Sequence, residues 1–441
     1  MSIISMKTPD FERNIGIDAY LTDTQGIGGK LRVHVEDFQV TELFLFPDKK
    51  ENGIFTIAEV SARNWETHTL VQEIADRLHV SQRRISYAGT KDKRSVSNQL
   101  MSFNRISPER LSQVIIKDVV LKNIYQSDTL VRLGSLLGNH FAVTVRNIDG
   151  SVTDSQIKTL VSSIEQVGGF PNYYGVQRFG VVRPITHLVG KSLVQGDYEK
   201  AVMAYIGHPI QGEDESTYTL RADLEATRDY SKAFHSYPDS LHFEKAILNK
   251  LLQDSNDFVG ALQELPKNLL LMFVNAYESF LFNKILSERL RRNIPLQKAI
   301  VGDIVLPVRR NAVREEYIPV SEHNIEKVNA QLSKRKAVIT GLLLGYDTVY
   351  ADGEMGIIER EVVKKEKIDP RDFIIPDIPF LSSSGSRRTL LALVSSFQWS
   401  LHEDEFFEKQ KAVSLQFELQ KGCYATALLR EIMKSSDPKN Y

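Results

Sequence analysis

The most chemically loaded stretch of the chain is Ser81–Arg94, SQRRISYAGTKDKR. It sets Arg83, Arg84, Lys91, Lys93 and Arg94 around a single acid, Asp92. Most charge runs are no more than solvated surface. A patch that only holds phosphate gains nothing from a carboxylate, which repels it. An acid between two lysines, after Ala88-Gly89-Thr90, suits another task. The cations bring in a nucleotide, and the carboxylate acts on it as nucleophile or base. Neighbouring cations also favour the charged form of a carboxylate.

Other chemistry is sparse. Cys423 is the only cysteine, which excludes an intrachain disulfide and a cysteine-rich zinc site. It reads as a small buried apolar group, and cysteine usage points to a reducing, cytoplasmic setting. The ten histidines show neither H-x-H nor H-E-x-x-H spacing, so no metal site is expected. Gly26-Ile27-Gly28-Gly29 lacks a preceding apolar strand and a following helix, and reads as a turn. No glycine-rich β–α loop is found for a methyl-donor cofactor, which argues against an RNA methyltransferase.

Something must position Asp92. With 441 residues, 42% hydrophobic and 25% charged, the chain has the composition of a globular protein of two or three domains. The net charge of -1 neither supports nor excludes nucleic acid, which depends on a local patch. Residues 1–14 lack a signal-peptide core, and no run reaches about 18 apolar residues, so no membrane span is expected. Residues 1–25 read as a loosely tied lead-in. Leu31, Val33 and Val35 alternate with Arg32 and His34 and predict a strand, continued by Phe38 and Val40 and again over Ile54–Val60. Leu70, Ile74 and Leu78, with Val71 and Ala75, predict a helix capped by Thr67. Phe141, Val143 and Val145 predict another strand, and Ile157, Leu160, Val161 and Ile164 another helix. Pro266 opens a long apolar helix to about Arg292, and Pro376–Ser386 reads as a linker. Val413, Leu415, Phe417 and Leu419 form the cleanest alternating strand, followed by a Lys421-Gly422 turn and a helix over Ala425–Met433. Such a lone strand has no local partner, so it is expected to pair into the same sheet as the strand carrying Phe141. The fold class is α+β, with a discontinuous domain interrupted by a large insertion.

The run YAGTKDKRSVSNQ, Tyr87–Gln99, resembles the catalytic motif of the TruD family of pseudouridine synthases. Four further stretches resemble that family in the same order: GKLRVHVEDFQVTE, LGNHF (Leu137–Phe141), PNYYGVQRFG (Pro171–Gly180) and GCYATALLRE (Gly422–Glu431). Five ordered motifs from about Gly28 to Glu431 cover nearly the whole chain.

The resemblance implies a pseudouridine-synthase catalytic domain, a mixed and mainly antiparallel sheet flanked by helices, over 26–168 plus 389–441. It implies an inserted family-specific α+β domain over 169–388. The implied reaction is cofactor-free isomerisation of uridine to pseudouridine in RNA, usually at position 13 of transfer RNA, with no obligatory protein partner. By resemblance Asp92 is the catalytic carboxylate and Phe141 stacks on the flipped uracil. Asn139 orients the loop or bonds the ligand, Phe38 and Tyr424 line the substrate site, and Arg32 is the basic partner of Asp92. Periodicity alone makes Phe38 and Phe141 core residues, and Asn139 and Tyr424 turn residues. Arg83, Arg84, Lys91, Lys93 and Arg94 are the expected RNA-backbone contacts, with Arg178, Arg183, Arg387 and Arg388 as further candidates. The rival reading is a non-catalytic RNA-binding or RNA-folding protein that uses the same basic cleft.

Overall fold

Along the chain the strands run β1 (Phe38–Phe44), β2 (Phe55–Arg63), β3 (Ile85–Tyr87), β4 (Val96–Asn104), β5 (Val119–Ser127), β6 (Leu136–Ile148) and β7 (Gly169–Pro171). Next come β8 (Ile304–Arg309), β9 (Ala312–Val313), β10 (Ile318–Pro319), β11 (Ala337–Leu343) and β12 (Ser386–Thr389). β13 (Leu391–Glu403) and β14 (Lys411–Gln420) follow. This computed structural model describes residues 7–309, 312–314 and 316–441. The chain separates into two units, Thr24–Phe170 with Ala392–Tyr441, and the residues up to Asp23 with Pro171–Leu391.

The first unit is built on a sheet of nine strands among the described residues. Its order is β5-β2-β4-β1-β6-β14-β13-β7, with β3 also on β4. The sheet is mixed: β1 runs parallel to β4 and antiparallel to β6. As its alternation demands, Val413–Leu419 lies in this sheet, and Phe417 sits opposite Phe141. Both strands carry their apolar positions into one core with Phe38, Val40, Val143 and Val145. The helix Asp154–Val167 covers that core with Ile157, Leu160, Val161 and Ile164, and Ala425–Met433 adds Leu428, Leu429 and Ile432. Full burial of each large aliphatic or aromatic side chain stabilises by roughly 1.5–3 kcal/mol, so the distant segments are held chiefly by apolar area. A second core lies where the helix Thr67–Arg77 packs Leu70, Val71 and Ile74 on Val60, Met101 and Phe103.

In the second unit β10-β8-β11-β12, with β9 on β8, form a five-stranded sheet among the described residues. Pro266 caps the helix Lys267–Arg291, as its position predicts. That helix is apolar and long enough to span a membrane by composition, yet most of its apolar window is buried inside the unit. Its Arg289 is fully buried against Asp303.

Four local expectations are corrected. Leu31–Val35 is not a strand: Arg32 has φ +55°, a left-handed residue that breaks the pleat, and the backbone turns through Val35–Asp37 before β1 begins. The cap of Thr67–Arg77 is Glu66, whose carboxylate accepts from Thr69 N at 3.0 Å; the Thr67 hydroxyl instead accepts from Lys91 N at 2.7 Å. Residues 7–23 are not a loose lead-in. Ile15 and Ile17 are buried, Asn283 Nδ2 donates to Ile15 O and Ser287 Oγ to Gly16 O. Pro376–Ser386 is not an open linker, because Ile378 and Leu381 are buried and Ser386 already belongs to β12.

Candidate active site

Asp92 lies in the loop between β3 and β4, with its side chain 67% exposed. Arg32 reaches it from the turn before β1, and its Nη2 donates to Asp92 Oδ2 at 2.8 Å. The same guanidinium lies over the Phe38 ring, 4.3 Å from its centroid. Phe38 meets Phe141 edge-on at 6.0 Å, and Phe141 stacks on Phe417 at 5.3 Å. A continuous chain of contacts thus joins the carboxylate, a cation and three aromatic rings. The left-handed backbone of Arg32 makes this possible: its carbonyl accepts from Arg94 Nη2 at 2.6 Å while its side chain faces Asp92. Strain of this kind is kept only where surrounding contacts over-determine it.

Phe38 is set by the acid before it. Asp37 is 1% exposed and accepts from His34 N at 2.7 Å and from Arg146 Nε at 2.7 Å. Arg146 also bonds to Asp404. Burial pushes the Asp404 carboxyl up, but the Asn147 and Phe406 amides and Arg146 outweigh it and leave the group below its usual value.

Asn139 stands on β6 opposite Glu42 of β1, two residues before Phe141. Glycine is required just ahead of it, since a Cβ at Gly138 would collide with the Leu419 carbonyl oxygen. Asn139 Oδ1 and Arg32 Nε are buried and have no hydrogen-bond partner among the described residues. Buried polar atoms are almost always satisfied, so the two orphans leave hydrogen-bonding capacity that a water or a polar ligand can fill. Tyr424, 37% exposed, caps the helix Ala425–Met433. It follows the end of β14, where Gln420 pairs with Gly138, and Gly422 takes φ +81° in the intervening turn.

The five expected phosphate contacts divide. Arg83 and Lys93 are exposed. Arg94 is exposed but donates to Arg32 O. Arg84 is turned to the backbone, donating to Asn104 O and Arg105 O at 2.6 Å each from Nη2. Lys91 is corrected outright: its side chain is 6% exposed and its Nζ bonds to the fully buried Glu42 at 2.6 Å. A cation sealed against a carboxylate has no reach toward phosphate. Among the arginines of the other unit, Arg387 is fully buried on Glu359, and Arg183 donates to the carbonyls of Tyr205 and Ala204.

Glu42, Asp37 and Arg146 were not singled out from the sequence, and Thr67 only as a helix cap. Glu42 carries a usable signal, an acid at the inward position of the Phe38, Val40, Glu42 alternation. Beside the Asp92 loop, an open cavity of about 310 Å³ is lined by Lys93, Lys117, Arg63 and Trp65, with Glu66 and Asp118. Arg63 there is paired with Glu36 at 2.6 Å, and its hydrogen bond holds the Glu36 carboxyl below the usual range. Among the described residues no group of three or more His, Cys, Asp or Glu side chains is placed to hold a metal ion.

Comparison with known proteins gives one answer. Residues 14–432 match the family described as tRNA pseudouridine synthase D (TruD). A relative from Methanococcoides burtonii that carries the tRNA pseudouridine synthase D name is 41% identical over 435 residues, covering 97% of this chain and 98% of its own. One of the same name from Thermococcus sibiricus is 33% identical, covering 96% and 99%. A crystal structure bearing the TruD name, from Methanosarcina mazei, superposes with a TM-score of 0.89 at 39% identity, covering 99% of this chain and all of that one.

Proposed function

Because the chain belongs to the TruD family of tRNA pseudouridine synthases, we propose that its substrate is the uridine at position 13 of transfer RNA and that Asp92 is the carboxylate that acts on it. The carrying observation is the arrangement of Asp92: exposed, oriented by Arg32 at 2.8 Å, and joined through Arg32 to the Phe38–Phe141 aromatic pair.

The reaction is an isomerisation, so the product contains the atoms of the substrate. The N1–C1′ bond breaks, the uracil turns, C5 bonds to C1′, the C5 proton leaves, and N1 takes a proton. No oxidant, acyl donor or cofactor enters that balance. Asp92 serves as nucleophile at C1′ or C6, or as base at the ribose. Arg32 keeps its carboxylate oriented, and the exposed Asp92 is open to an incoming nucleotide. The uracil must leave its stack to react. In this reading it lies against Phe141, while the free Asn139 Oδ1 accepts from the uracil N3–H and Arg32 Nε donates to a carbonyl or ribose oxygen. Phe141 is only 7% exposed, so the base meets the rim of a ring whose body belongs to the core. Arg83, Lys93 and Arg94 supply backbone contacts, and Lys117 and Trp65 extend them along the 310 Å³ cavity. In this reading Thr24–Phe170 with Ala392–Tyr441 is the pseudouridine-synthase catalytic domain, and Pro171–Leu391 is the inserted family domain.

The experiment is product analysis. Purified protein and an unmodified transfer RNA transcript, with no added cofactor, should give pseudouridine at position 13 alone. Modification at a different uridine refutes the site, and binding without any pseudouridine identifies an RNA-binding protein.

A further inference from the structure

Lys91 and Glu42 sit directly beneath the reacting loop, and nothing in the chemistry above uses them. Glu42 occupies the third inward position of β1 after Phe38 and Val40 and is 2% exposed. Its two oxygens have separate partners. Oε1 takes Lys91 Nζ at 2.6 Å, and Oε2 takes Leu100 N of β4 at 3.0 Å. It is therefore locked to the sheet at one oxygen and to the loop at the other.

Around it the sheet is polar in one row. Asn139 of β6 is opposite Glu42, and the next step of the parallel β1–β4 register, after Thr41 against Asn98, sets Gln99 on its other side. Gln99 is fully buried, and neither of its amide atoms has a partner among the described residues. A row of Asn, Glu and Gln in the floor of a sheet is costly unless it does something, because a buried polar group without a partner loses its hydration for nothing. Leu419 of β14 and Val60 of β2 close the row with ordinary apolar residues.

Lys91 precedes Asp92 in the chain. Besides its ion pair, its backbone is fastened twice to the helix that begins at Thr67: Lys91 N donates to Thr67 Oγ1 at 2.7 Å, and Thr67 N to Lys91 O at 3.3 Å. On the far side of Asp92, Ser95 Oγ donates to Asp92 O at 2.6 Å. The loop is thus clamped immediately before and after an exposed carboxylate. Gly89 lies against the clamp: a Cβ there would be in ordinary van der Waals contact with Lys91 Nζ at 3.5 Å and Glu42 Oε1 at 3.6 Å.

We propose that the buried Glu42–Lys91 ion pair is the positioning element of the active site, fixing the backbone at residue 91 so that Asp92 meets the reacting atoms, and that Lys91 is not an RNA contact. Both are positioning residues: they act through Asp92 and touch no substrate. A displacement of about 1 Å at a reacting group can slow a reaction on the order of a hundredfold, which sets the expected size.

The proposal rests on Asp92 as the reacting carboxylate, and the test separates the two. Glu42→Gln and Lys91→Met each strand a buried partner and should destabilise the fold. The double variant Glu42→Gln/Lys91→Met leaves no stranded charge and should recover much of the melting temperature. Single-turnover rates at saturating transfer RNA are then measured beside affinity and its salt dependence. A positioning role predicts a double variant that is folded, binds within about twofold of the parent, and reacts about a hundredfold more slowly. A purely structural role predicts a rate that recovers together with the melting temperature, which overturns the proposal. A loss confined to affinity and salt slope in Lys91→Met also overturns it, returning Lys91 to the phosphate contacts. If the double variant does not fold, Glu42→Asp keeps the charge and shortens the arm by one methylene, with the same two outcomes. Asp92→Asn is run alongside. Full activity there removes the premise, whereas an inactive Asp92→Asn beside a parent-like double variant removes this proposal alone.

Discussion

Asp92→Asn separates catalysis from folding because the structure makes the two effects very different in size. Asn is nearly isosteric with Asp and keeps a carbonyl oxygen that can accept from Arg32. The pair it replaces is exposed on the Asp92 side, at 67%, and Arg32 retains its stacking on Phe38. Exposed ion pairs contribute about 0–1 kcal/mol, so the melting temperature should fall by less than about 4 °C. Asn can neither attack carbon nor take the proton in the carboxylate's place. A loss of a thousandfold or more is expected, a barrier increase of at least ~4 kcal/mol. Unfolding on the scale of ~1 kcal/mol cannot produce that deficit in a stable domain.

The assay follows from the atom balance. The C5 hydrogen is lost to solvent when C5 bonds to C1′, so transfer RNA tritiated at C5 of uridine reports each turnover as tritiated water. Measured under single-turnover conditions with enzyme in excess, the rate is free of product release. Binding of the same RNA should be unchanged or slightly tighter, because one negative charge has left a cationic loop. A rate within tenfold of the parent, with normal melting and binding, refutes the assignment of Asp92 and sends the search to another carboxylate.

Phe141→Ala should lower both stability and rate, because the ring is 7% exposed and packed on Phe38 and Phe417; a loss of roughly 3–5 kcal/mol is expected by denaturant titration, with some turnover left in the folded fraction. Alanine at Arg83 or Lys93 should reduce the log–log salt slope of transfer RNA binding by about 0.7–0.9 for each true phosphate contact, read by filter binding across a salt series. Gly138→Ala should destabilise the β6–β14 pairing through collision with Leu419 O, seen as a lower melting temperature and faster amide exchange in β14. In the other unit, burial raises the Glu278 carboxyl to about 7, against the pull of Ser383 and Arg178. The folded chain therefore keeps that proton between about 4.5 and 7 while the unfolded chain releases it, so stability falls with rising pH across that window. Glu278→Gln should abolish this decline and stabilise by about 3 kcal/mol above pH 7, and equal pH profiles for parent and variant would refute the reading.

Alternation was enough to place β14. Four apolar residues at period two with no neighbour to pair with had to find a distant strand, and the pairing of Phe417 with Phe141 is that solution. The helix Lys267–Arg291 was equally legible, with a proline at its start and basic residues at its end. Leu31–Val35 misled because period two describes side chains, whereas the decision was made by the backbone of Arg32, which adopts φ +55°. The contacts that stabilise this conformation, to Asp92, Phe38 and Arg94, come from residues up to 62 positions away. No local propensity contains them.

Lys91 and Lys93 show the same limit at the site itself. They flank one aspartate, are identical in type, and form one positive window in the sequence. One is sealed on Glu42 and the other stands in solvent. A linear count of charge cannot tell them apart, since burial is decided by which strand lies beneath the loop. The informative residue was the acid on that strand. An inward-facing glutamate that stays ionised in a core needs charged or hydrogen-bonding partners, so Phe38-x-Val40-x-Glu42 calls for a cation from elsewhere in the chain. The basic window beside Asp92 supplies that cation. Part of its positive charge therefore holds the loop in place, which leaves Arg83, Lys93 and Arg94 as its solvent-facing members and fixes how large a salt effect the patch can show.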